Sequence, residues 1–102
     1  MKQHVILYSC RARFAGVAEV PYDRAPEIGS SHDCILFVAQ PSPKPDFAAA
    51  SKLLVTKHGW ADLEMKRAGP LQPEAVNSPQ MSVFQHYYEA CLEHGDSLAW
   101  YA

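Results

Sequence analysis

Val5-Ile6-Leu7-Tyr8-Ser9-Cys10-Arg11-Ala12-Arg13-Phe14 opens as an unbroken apolar run and then alternates apolar with polar residues. The pattern reads as a β-strand buried on both faces along its first half and on one face along its second. A second run, Cys34-Ile35-Leu36-Phe37-Val38-Ala39, is too short for an ordinary helix and rich in strand formers. It reads as a central strand and the most buried segment of the chain. Between the two, Gly16 permits a turn and residues 17–20 suit a short return strand, which Pro21 ends or places on a sheet edge. Residues 21–32 are polar, with Pro26 and Gly29, and read as an exposed loop.

Beyond the second strand, Pro41, Pro43 and Pro45 hold 40–45 extended, because each fixes its own φ and biases its predecessor away from helix. Asp46 can cap a helix running to about 58, with Phe47, Ala50, Leu53 and Leu54 on its inner face. Gly59 supplies a left-handed stop, Trp60 can fold back on the last turn, and His58 suits the negative helix end. Across 60–67, Ala61, Leu63 and Met65 alternate with Asp62, Glu64 and Lys66, as in a half-exposed strand. Residues 68–77 form a loop punctuated by Pro70 and Pro73. Ser78 as cap and Pro79 as first residue start a second helix, reaching about 94, with Phe84, Tyr87, Tyr88, Cys91 and Leu92 on one stripe. Gly95 ends it, and 98–101 form a last strand.

The expected fold is α+β: a four- to five-stranded mixed β-sheet with two α-helices packed on one face, in ββαβαβ order, as a single domain over 1–102. With the later strands parallel, the loops 40–45 and 68–78 lie at the same sheet edge, where open sheets bind ligands.

Composition narrows the function. An apolar fraction of 48% with 20% charged residues is that of a globular chain. A net charge of −2 with Arg11, Arg13 and Arg24 diluted by Glu19, Asp23 and Glu27 argues against nucleic-acid binding. Cys10, Cys34 and Cys91 are odd in number and widely spaced, which suits reduced thiols better than a disulfide scaffold. The apolar start at 5–8 is too short for a signal peptide, and no run nears the roughly 20 residues of a membrane span. A cytoplasmic protein with no membrane contact is the expectation.

Cys10, after an apolar strand and before Arg11 and Arg13, is the candidate nucleophile, since arginine favours a thiolate. Against it, position 13 is no second cysteine and the sixth residue onward is Gly16, where a phosphatase-type loop needs arginine. On the second helix, His86, Glu89 and Glu93 fall within about 60° of one another at about 100° per residue, a candidate metal face. Ser82 and Gln85 beside them fit an ordinary solvated surface equally. No Gly-x-Ser-x-Gly elbow, phosphate loop, dinucleotide fingerprint or paired zinc-type cysteine spacing occurs, so no cofactor is expected.

Tyr87, Tyr88, Trp100 and Tyr101 are the candidate interface anchors, because such side chains join a large apolar area to a polar tip. Lys44 in the first loop and Arg67 beside the second complete the candidate binding residues. The reading is a non-catalytic protein–protein interaction module, of the kind that includes small inhibitors and immunity or anti-defence proteins. The alternative is a small enzyme or small-molecule binder using Cys10 or a pocket between loops 40–45 and 68–78. A homodimer paired through the last strand is a further expectation.

Overall fold

The computed structural model describes residues 3–16, 18, 22, 25–70 and 85–101. Its elements are β1 (His4–Phe14), β2 (Ser31–Gln40), α1 (Phe47–Thr56), β3 (Trp60–Pro70), α2 (Gln85–His94) and β4 (Asp96–Trp100). The strands form one sheet in the order β3-β1-β2-β4.

Every pair of neighbouring strands is antiparallel, which corrects the expected mixed sheet. β2 and β3 do run in the same direction, as a strand–helix–strand unit requires. However, β1 lies between them and pairs against both, with Leu7 opposite Phe37 on one side and Gly69 on the other. The return strand placed at 17–20 falls outside the described residues except for Ala18, which belongs to no strand. The Ser78–Pro79 start of the second helix also falls outside them.

The helices lie on opposite faces, which corrects their expected placement on one. Ile6, Tyr8, Cys10, Ala12 and Phe14 of β1 and Cys34 and Leu36 of β2 pack with Ala50 and Leu54 of α1 and with Trp60. The intervening Val5 and Phe37 pack with Cys91 of α2, joined by Leu7, Ile35, Ala39, Tyr87 and Tyr88. The cause is in the strands. Two central strands apolar on both sides expose a water-facing hydrophobic surface unless each side is covered.

Local chemistry sets the element ends. Asp46 accepts a hydrogen bond from the Ala49 N–H at 3.1 Å, capping α1, and Gly59 at φ +81° turns the chain into β3. Two bulges opposite Ser9/Cys10 and Arg11/Arg13 each add one residue to β3. At the second, Asp62 adopts φ +52° and accepts from Arg13 Nε at 2.6 Å. Bulges, charges and Pro70 blunt this exposed edge against further pairing.

Candidate functional site

The strands that lead into the two expected binding loops finish at the same end of the sheet, with 68–70, expected in the second loop, forming the end of β3. Gln40 and Pro70 end parallel-running strands and flank the start of β1, opposite His4 and Ile6 respectively. Residues 71–78 of the second loop lie outside the described residues. The first loop is held from beneath by Tyr8. Its hydroxyl donates to Gln40 Oε1 at 3.0 Å and accepts the Asp46 N–H at 2.8 Å, while Gln40 Nε2 donates to the carbonyls of Ser42 and Lys44, both at 2.8 Å. Lys44 is therefore fixed at its backbone, with its side chain exposed.

Beside this end, on the α2 side of the sheet, a groove of about 340 Å³ is lined by Leu7, Ser9, Ile35, Arg67, Ala68, Gly69 and Pro70. Strand alternation puts Leu7, Ser9 and Ile35 on this face, and the register sets Arg67 opposite Ser9. Gly69 contributes no side chain, so the wall stays low between Leu7 and Pro70. Among the described residues no carboxylate pairs with Arg67. The same face carries Arg11 and Lys66 on Asp33, at 3.3 and 3.9 Å. The groove is thus a mainly apolar trough with one guanidinium at its wall.

The other candidate residues are distributed differently. Cys10 is 1% exposed, in the core on the α1 side and opposite Cys34. Arg11 lies on the other face, against Asp33, and Arg13 is engaged by Asp62, so the two arginines expected to favour the Cys10 thiolate are turned to other partners. Tyr87 stacks on Phe37 with centroids 5.9 Å apart, and Tyr88 packs in the same cluster. Trp100 sits edge-on to His32 at 4.9 Å, part-buried on the α1 side. Tyr101 alone of these four aromatics is exposed, its N–H donating to the Asp33 carbonyl and its own carbonyl meeting His32 Nδ1 at 2.8 Å.

On α2 the exposed side chains of His86, Glu89 and Glu93 engage separate neighbours. His86 lies edge-on to Tyr87, Gln85 donates to Glu89, and Glu93 lies 3.9 Å from His94. Among the described residues no three His, Cys, Asp or Glu side chains come together as a metal site.

A buried polar cluster went unread in the sequence. Asp96, at the start of β4, accepts from Lys57 Nζ at 2.6 Å and pairs with His58 Nε2 at 2.8 Å. Burial pushes its carboxyl up, but the hydrogen bonds from His58 and Lys57 and the Lys57 charge outweigh this and hold it below the usual range. The His58 carbonyl accepts from the Tyr22 hydroxyl, which in turn accepts the Trp60 indole N–H at 3.1 Å. The cluster ties the end of α1 to the far edge of the sheet. The only hint in the sequence was His58 at a helix terminus.

Among the described residues no helix is long and apolar enough to cross a membrane. No family model, curated protein or solved structure matches the chain.

Proposed function

We propose that this is a non-catalytic protein–protein interaction module of the inhibitor or immunity class, acting in the cytoplasm, and that its partner docks on the α2 side of the sheet over β1 and β3. The observation that supports this reading is the trough between Leu7, Ile35 and Arg67, whose guanidinium pairs with no carboxylate among the described residues. It can receive an apolar side chain while Arg67 meets a carboxylate on the partner, the pairing of buried anchor and charge that dominates many interfaces. The Tyr8-held loop at 41–46 lies at the same end of the sheet and loses little conformational freedom on contact. Three free cysteines fit a reducing compartment.

The test is affinity capture with the wild-type protein and with Arg67→Glu. A stoichiometric partner held by the wild type and released by the charge reversal supports the proposal. Equal capture by both moves the interface elsewhere. The alternative of a small-molecule binder is favoured by one observation, a groove volume near the lower end of ligand sites, about 300 Å³. An anionic fragment that perturbs Arg67 and Leu7 resonances, with no protein captured, would establish it instead.

A further inference from the structure

We propose that Cys10 and Cys34 are a built-in dithiol that closes to a reversible cross-strand disulfide when the protein meets a peroxide. The two residues are direct partners in the β1–β2 register, both are 1% exposed, and both sit in one cluster on the α1 side. Their backbone relation follows from the neighbouring bonds. Ala39 donates to the Gly95 carbonyl and Tyr101 to the Asp33 carbonyl, so the odd residues of β2 turn their backbone groups toward β4. The even ones, Cys34 among them, turn theirs to β1. Cys10 and Cys34 are therefore a hydrogen-bonded pair, for which the Cα separation is about 5.5 Å. That lies within the span preferred by disulfides, about 5.5–6 Å.

The chemistry favours a defined order. The Cys34 S–H donates to the His32 carbonyl at 3.6 Å, and the interaction between the two facing sulfurs lowers the Cys10 thiol against the upward push of its burial, while Cys34 is raised by that interaction and by burial. Cys10 is thus the first thiolate. Its sulfur attacks one peroxide oxygen, the O–O bond breaks, and the departing hydroxide is protonated to water, leaving a sulfenic acid on Cys10. Cys34 then gives up its proton and bonds to the Cys10 sulfur, expelling a second water. Two thiols are oxidised, one peroxide is reduced to two waters, and no other reagent is needed.

Opposed Cβ atoms in an antiparallel pair stand about 4.5–5.5 Å apart, with hydrogen-bonded pairs at the wider end. A disulfide wants about 3.8 Å, so closing it strains the strands and leaves a readily reduced bond. Cys91 is excluded because it lies across the sheet, against Val5 and Phe37.

The experiment uses the native protein exposed to hydrogen peroxide, then unfolded in excess alkylating reagent and digested for mass spectrometry. The expected product is a linked peptide pair, two hydrogens lighter, joining Cys10 to Cys34, with Cys91 alkylated. Dithiothreitol added before unfolding should restore both thiols. In Cys34→Ala, a dimedone adduct should accumulate on Cys10. Three alkylated cysteines after a day of exposure, a bond involving Cys91, or a bond between chains would overturn the proposal. A Cys10–Cys34 bond that resists dithiothreitol in the folded protein would overturn its reversibility.

Discussion

The two faces of the sheet are built to different standards. On the α1 side, ten buried residues from β1, β2, α1 and β3 form one cluster, with Trp60, Tyr8 and Leu54 sealed at its centre. On the α2 side, the buried residues among those described are Val5, Phe37, Cys91, Ser97 and Ala99, and a groove lies beside them. Among the described residues, the larger buried cluster lies on the α1 side and the groove lies on the α2 side.

That contrast can be broken first from the sealed side. Trp60→Ala removes a side chain 1% exposed that contacts Phe14 and His32 and donates to Tyr22, and should cost about 4 kcal/mol in urea unfolding. Asp96→Ala should cost about 3 kcal/mol, because it leaves Lys57 and His58 without their shared acceptor. The same carboxylate predicts a pH dependence. Its folded pKa is depressed, so its contribution is present above the unfolded value of about 3.9 and is lost as pH falls through the lower folded value. Acid titration of stability should be shallower in Asp96→Ala than in the wild type over that window.

Asp46→Ala, which removes the α1 cap, should cost about 1 kcal/mol and leave the α2 side untouched. The smallest effect sharpens the comparison most. Arg67→Glu on the open face should change stability by no more than about 0.5 kcal/mol while abolishing partner capture. A large loss of stability there would mean that the groove wall belongs to the core.

Much of the architecture was legible in the residues. Apolar runs at 5–8 and 34–39 marked the central strands, and the clean alternation after Trp60 marked a half-exposed strand, which the structure places at the sheet edge. Asp46 and Gly59 bracketed α1 as their chemistry requires. The expected placement of both helices on one face overlooked those same apolar runs, since a strand hydrophobic on both faces needs cover on each. What local pattern cannot carry is the order of strands. Nothing in 60–70 says that it pairs with β1 and not with β2, and that choice turns a mixed sheet into an antiparallel one.

The candidate site was partly legible for the same reason. Arg67 and the loop at 40–45 follow from strand ends, which periodicity finds. The opposition of Cys10 to Cys34 and the meeting of His58 with Asp96 depend on register and packing across 24 and 38 positions of chain.

The central position of β1 also governs how the chain reaches this state. Both of its partners lie downstream, and Leu7 must find Phe37 on one side and Gly69 on the other before either face of the sheet is complete. Pairings this distant in sequence close large loops before they gain contacts, and domains dominated by them fold in about milliseconds to seconds, more slowly than small helical bundles. Until β3 arrives, the doubly apolar stretch of β1 has one open edge. The hazard for this fold is therefore kinetic: an apolar strand with one unpaired edge that waits for its second neighbour, the kind of edge that pairs with other chains when it is left open.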